Sequence, residues 1–151
     1  MNLHFLGGAG EVGRSAILVE NGDMKLLMDC GVKATTPYEF PLLKGAKRPN
    51  AVAVSHAHLD HSGYLPALLQ HASVPVLSTF PTFPLVQLLL EDTLKIAEQE
   101  HRQPYFSASD VRKLQHHSRA LPYHQDHYFH DGSSMRLLDA GHILGSAQVF
   151  Y

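Results

Sequence analysis

The sequence predicts an α/β fold built on a mixed sheet, and three observations lead there. Apolar runs of strand length recur at residues 16–19, 51–54, 74–78 and 135–138. Segments with helical spacing of apolar residues lie among them, at 64–71 and 84–100. The densest polar cluster, Ser55-His56-Ala57-His58-Leu59-Asp60-His61-Ser62-Gly63, falls between one such run and one such helix. That is the strand-to-helix turn in which α/β folds place their chemistry.

The elements follow in order. Residues 3–6 form a short strand, then four glycines in the seven residues Gly7 to Gly13 give a backbone able to approach a ligand closely. The Gly8, Gly10, Gly13 spacing resembles a dinucleotide fingerprint, but a strand at 16–20 follows instead of a helix, and no Lys-Ser/Thr completes a phosphate loop. Asn21-Gly22 suits a two-residue turn into a strand at 24–28, which ends at Asp29-Cys30-Gly31. Asp29 is there either a turn former or a carboxylate that fixes a ligand histidine. Cys30 reads as a small core residue. Residues 32–50, with Pro37, Pro41, Gly45 and Pro49, read as a long, locally basic loop.

Strands are expected at 51–54, 74–78, 135–139 and 147–151, and helices at 64–71, 84–100 and 108–117. Thr82 is placed to cap the second helix, whose apolar face would comprise Leu85, Leu88, Leu89 and Ile96, widened by Val86, Leu90 and Leu94. Glu91 and Lys95 are spaced to pair outside. Ser107-x-x-Asp110 forms a capping box for the third helix. Asp131-Gly132 marks a hairpin turn. His124, His127 and His130 lack a strand-turn context and are read as loop and strand-edge residues.

Composition narrows the function. A chain of 151 residues fits one domain and buries roughly two-thirds of its unfolded surface. Hydrophobic content of 44% with 17% charged residues is ordinary for a globular protein, and no apolar run approaches the 18 or so residues that span a bilayer. The start, Met1-Asn2-Leu3-His4-Phe5, lacks the regions of a signal peptide. A single cysteine fits a reducing compartment, so a cytoplasmic, membrane-free protein is expected. A net charge of −2 argues against a broad basic face; nucleic-acid contacts, if made, are local.

The cluster at 55–63 carries the chemistry. With 12 histidines in 151 residues, H-x-H-x-D-H has a chance expectation of only about 0.004. In an extended stretch alternate residues project the same way, so His56, His58 and Asp60 would converge, with His61 turned to a neighbouring point. Imidazole and carboxylate donors suit a borderline divalent ion such as zinc. Four donors this close, with others arriving from elsewhere, suggest two ions side by side. His142, between glycines at the end of a strand, is the natural distant ligand.

His56-x-His58-x-Asp60-His61, with Asp29 before it and His142 after it, resembles the metallo-β-lactamase superfamily. GGAGEVGRS (7–15), MDCG (28–31), SHAHLDHSGYLP (55–66) and DAGHILGSA (139–147) resemble its β-CASP nucleases. The likeness is strongest to the pre-mRNA cleavage and polyadenylation nuclease subunit and its archaeal and bacterial relatives. This resemblance implies an αββα sandwich with two zinc ions. His56, His58 and His142 would hold one ion, and Asp60 and His61 the other. Asp29 and Asp60 are the expected catalytic carboxylates, Asp29 as an orienting group. Glu11, Arg14 and Ser15 of the glycine-rich loop are candidates to meet substrate.

The family also uses a bridging aspartate, a further histidine and an inserted β-CASP domain. Residues 1–151 are therefore expected to be the N-terminal portion of the metallo-β-lactamase domain, inactive alone. The implied activity is cleavage of single-stranded RNA by zinc-activated hydroxide. Implied partners are RNA, a second copy or processing-complex subunits, with a nuclear location in a eukaryotic complex. A thioester or lactam hydrolase on the same fold and a non-catalytic scaffold subunit are the competing readings. GGAGEVGRS with DAGHILGSA weighs against the former, and the complete local ligand set against the latter.

Overall fold

The structure is a computed structural model that describes residues 1–44 and 46–151. Gly45, read above as part of the long loop, lies outside the described residues. Strands with buried residues on both faces generate the architecture. In the hairpin β2 (Ala16–Asn21) and β3 (Met24–Met28), Leu18 and Leu27 point to one face while Met24 and Leu26 point to the other. In β4 (Ala51–Ala53), Val52 joins the first face and Ala51 and Ala53 the second. A sheet apolar on both faces must be covered on both.

With β1 (Asn2–Gly7), β5 (Val76–Ser78) and β6 (Ser118–Ala120), these strands form a six-stranded sheet in the order β1-β2-β3-β4-β5-β6. It is antiparallel from β1 to β3 and parallel from β3 to β6. Helices α1 (Leu59–Ser62), α2 (Leu65–His71), α3 (Thr82–Gln99) and α4 (Ala108–His117) lie on the first face. Leu65, Leu69, Val86, Leu90, Val111 and Leu114 pack there against Leu18, Leu27, Val52 and Val76. The other face is covered by a three-stranded antiparallel sheet, β7 (Asp126–Tyr128), β8 (Ser134–Asp139) and β9 (Ala147–Phe150). Its Met135, Leu137 and Ala147 close a second core over Met24, Leu26, Ala51, Ala53 and Leu77. Helices, large sheet and small sheet thus stack as α/β/β layers of the expected sandwich.

Several local expectations are corrected. Asn21 stays in the ladder opposite Met24, so the hairpin turn is Gly22-Asp23, one residue later than expected. Helix α3 begins at Thr82 rather than 84, with Pro81 at its N-cap position and no side-chain cap. Thr82 is buried and its hydroxyl bonds a distant carbonyl instead. The buried stripe of α3 is Val86, Leu90, Thr93 and Ala97, whereas Leu88 and Ile96 face outward. Glu91 accepts from Gln87 at 2.8 Å, and its pairing with Lys95 is not among the ion pairs of the described residues. The capping box of α4 forms as read: Ser107 Oγ accepts from the Asp110 N–H, and the Asp110 carboxylate accepts from the Ser107 N–H. Among the described residues no helix is long and apolar enough to cross a membrane.

Candidate metal centre

The polar cluster begins where β4 ends and turns almost at once. The chain is extended at His58 (φ −56°, ψ 142°), then Leu59 starts the one-turn helix α1. Asp60 is therefore not in register with His56 and His58, as an extended stretch would have put it. The turn carries Asp60 and His61 to an adjoining position. Three carbonyls of this turn accept from elsewhere: Leu59 from the Val32 N–H at 2.9 Å, Asp60 from Ser15 at 2.8 Å and His61 from Cys30 at 2.8 Å. Leu59 also accepts from the Gly63 N–H at 2.8 Å, but a helix this short leaves the Asp60 and His61 carbonyls to be satisfied by Ser15 and Cys30.

His142 arrives from the turn between β8 and β9. Its Nε2 lies 3.3 Å from His58 Nδ1, and His56 Nε2 lies 3.1 Å from the same atom. One nitrogen from each ring falls within a common span of 4.8 Å. Ligands about 2.0–2.1 Å from a tetrahedral zinc stand roughly 3.3 Å apart, so two of the three separations already match a bound ion. Among the described residues this is the group of three or more metal-ligating side chains that could hold an ion. The His61 ring lies 4.2 Å from the His56 ring, and His61 Nε2 is 3.5 Å from Asp60 Oδ2, which makes a second position beside the first.

Asp29 sits beneath both positions. It is buried and holds the left-handed conformation (φ 59°), which Asp tolerates better than most residues. Its Oδ1 accepts from the Ser55 N–H at 2.8 Å; its Oδ2 accepts from Ser55 Oγ at 3.0 Å and His61 Nδ1 at 2.7 Å. Because Ser55 donates its proton to Asp29, its oxygen is free to accept from His56 Nδ1, 2.9 Å away. Both rings are then protonated at Nδ1, which leaves each Nε2 lone pair directed at the site. Asp29 thus orients two histidines and does not itself reach the open face.

Burial, followed by the neighbouring His61, pushes His56 down to about 4, so it is neutral at pH 7 and able to coordinate. At His61 burial opposes the charge, but the Asp29 hydrogen bond and the Asp29 and Asp60 charges outweigh it, and the pKa rises. Asp29→Asn should weaken metal affinity about 10–100-fold without unfolding the chain, since an amide at this position loses the charge and can present a donor to His61. Metal titration alongside a melting curve checks this.

The three candidates for substrate contact in the glycine-rich loop also have partners within the fold. Glu11 accepts from Arg14 Nε at 2.6 Å and Lys33 Nζ at 2.8 Å, and Glu39 joins Arg14 and Lys33 at 3.7 and 3.4 Å. Ser15 is held through its backbone, to Asp60 and to the Gly31 N–H. These three candidates are engaged in pinning the loop to the 29–39 and 59–61 segments. Ser55 was missed as a functional side chain, although its place before the first histidine was visible. Thr79, Thr82 and Ser146 are buried near the His142 turn; of these the sequence marked only Thr82, and as a helix cap.

A sandwich with a three-histidine group beside an Asp60–His61 pair is the geometry on the page, and sequence comparison adds that the family model of the metallo-beta-lactamase superfamily matches residues 9–79. Residues 9–79 thus carry the match to the metallo-β-lactamase superfamily. It is 42% identical over 151 residues to a protein named probable RNase MJ4 from Methanocaldococcus jannaschii, covering 99% of this chain and 35% of that one. It is 39% identical over 155 residues to transcription termination factor FttA from Cenarchaeum symbiosum, covering 97% of this chain and 24% of the relative. The chain therefore spans about a quarter to a third of these relatives' length. A solved B3 metallo-β-lactamase with an active-site glutamic acid superimposes with a TM-score of 0.61 at 15% identity, over 98% of this chain and 53% of that one.

Proposed function

We propose that this domain belongs to a zinc-dependent hydrolase of the β-CASP type that cleaves phosphodiester bonds of single-stranded RNA at a two-ion centre. The observation that carries the reading is the convergence of His56, His58 and His142 beside the Asp60–His61 pair. The names of the relatives point that convergence toward RNA. In this reading His56, His58 and His142 hold one ion, and Asp60 and His61 contribute to the second. Bound zinc would supply Lewis-acid chemistry, polarising a phosphoryl oxygen and making water acidic near neutral pH. The chain's own residues prepare the site: Asp29 and Ser55 set the ring orientations, and the 29–32 segment fixes the α1 turn.

Residues 1–151 are read as the N-terminal part of the catalytic domain, with further ligands and the inserted domain elsewhere in a longer protein. The coverage of 35% and 24% of the relatives supports this. Two cations side by side repel each other, and a bridging carboxylate offsets that repulsion. Without one, occupancy should be weak and confined mainly to the three-histidine position. The test compares residues 1–151 with the complete natural protein for zinc per chain and for cleavage of a labelled RNA, the matching DNA and a thioester. The complete protein should hold zinc and cleave RNA until a chelator is added, and the short chain should not cleave. Cleavage of the thioester alone would indicate a small-molecule hydrolase. A zinc-free, inert complete protein would indicate a scaffold, and two tightly held zinc ions with RNA cleavage in the short chain would refute the partial-domain reading.

A further inference from the structure

We propose that Thr79, Thr82 and Ser146 are positioning residues for His142, holding its turn by the backbone and so setting metal affinity at the three-histidine position. The proposal rests on the reading of those histidines as metal ligands.

His142 is itself exposed, so its side chain is not fixed by packing, while Gly145, Ser146 and Ala147 just after it are buried. Its place must be set from the backbone. Two hydroxyls converge on one atom there: Thr79 Oγ1 donates to the Gly145 carbonyl at 2.6 Å, and Thr82 Oγ1 donates to it at 3.0 Å. Thr79 is 2% exposed and Thr82 0%, and valine would fill either space without a polar atom. A buried hydroxyl is costly unless it is used, and here both are used on the same distant carbonyl. Neither serves as a side-chain cap for α3, whose first turn contains Thr82.

The close approach also constrains Gly145. Its φ is +82°, and a Cβ there would stand 2.8 Å from Thr79 Oγ1 and 2.9 Å from both the backbone nitrogen and Oγ1 of Thr82. Docking this tight leaves room only for glycine. One residue on, Ser146 Oγ accepts from the backbone N–H groups of His142 at 3.1 Å and Ile143 at 3.2 Å. The Ser146 carbonyl accepts from Tyr123 OH at 2.8 Å, and the Ala147 N–H donates to the Ser55 carbonyl at 2.7 Å. Ser55 immediately precedes His56, so the anchor joins the two ligand-bearing segments directly. A ligand set held to a few tenths of an ångström binds metal without first being ordered.

The test is a cobalt titration of the complete natural protein, followed by the visible spectrum of the bound ion, which reports its coordination geometry. Thr79→Val with Thr82→Val should weaken affinity about 10–100-fold and alter that spectrum, as loss of groups that orient ligands does. Thr79→Ser with Thr82→Ser should restore both. Thr93→Val is the control: it removes a hydroxyl bonded to the Leu89 carbonyl on the same helix, at 2.8 Å, and should leave cobalt binding unchanged. If the double valine variant does not fold, the single variants and Ser146→Ala carry the same expectation. Folded valine or Ser146→Ala variants that bind cobalt like the parent, or an equal loss in Thr93→Val, overturn the proposal while leaving the metal reading intact. A parent that takes up no cobalt removes both.

Discussion

Replacing His58 by alanine should empty the three-histidine position and abolish hydrolysis by the complete protein. His58 is the central member: its Nδ1 faces both His56 Nε2 and His142 Nε2, at 3.1 and 3.3 Å, so its loss separates the other two. Two neutral imidazoles do not hold zinc against water as three do, and the Lewis acid contributes several kcal/mol of transition-state stabilisation. At about 1.4 kcal/mol per tenfold, the rate should fall by roughly 10³ or more. The fold should survive, because His58 is exposed and its side chain caps nothing. Zinc per chain, RNA cleavage and a melting curve on the same preparation separate these effects. A variant with unchanged zinc content and rate would remove His58 from the site.

Gly31→Ala should be nearly as damaging by another route. A Cβ at Gly31 would fall 1.7 Å from the Asp60 carbonyl oxygen, 2.1 Å from its carbon and 2.7 Å from the His61 nitrogen. All three are backbone atoms, so no side-chain rotation relieves the overlap. Either the 29–32 segment or α1 must move, and both are tied by the Cys30–His61 and Val32–Leu59 hydrogen bonds. The cost should reach about 3 kcal/mol or more, toward the large end for a single substitution. In whatever remains folded, Asp60 and His61 are displaced first, so the second metal position should fail before the three-histidine one. Denaturant unfolding with zinc stoichiometry measures both, and a midpoint equal to the parent's would contradict the packing argument.

Much of this was legible because it depends on local pattern. The apolar run at 16–19 and the Asn21-Gly22 turn signal pointed to the β2–β3 hairpin, the capping residues to the start of α4, and the H-x-H-x-D-H spacing to the candidate site. His142 was legible only beside that motif, since a histidine between glycines has little meaning alone. Features that depend on tertiary partners were not legible. A one-turn helix at Leu59–Ser62 carries no period, yet it decides that Asp60 leaves the His56–His58 register. The three-residue strands β6 and β7, Ser118–Ala120 and Asp126–Tyr128, are polar and exist because an edge was available for each. The face of α3 was misplaced because Leu88 and Ile96 are apolar yet outward, while Thr93 is polar yet inward. The ion pairs of Glu11 and Arg14 with Lys33 and Glu39 were not legible, because those partners lie some twenty residues on or more.

The central claim is that His56, His58 and His142 share one zinc ion, with a second beside Asp60 and His61. Anomalous diffraction at the zinc edge, from crystals of the complete natural protein, tests it most directly. The account predicts one peak about 2.0–2.1 Å from a ring nitrogen of each of the three histidines, and a second against Asp60 and His61. Zinc bound elsewhere in the protein, with the three histidines holding none, would contradict it.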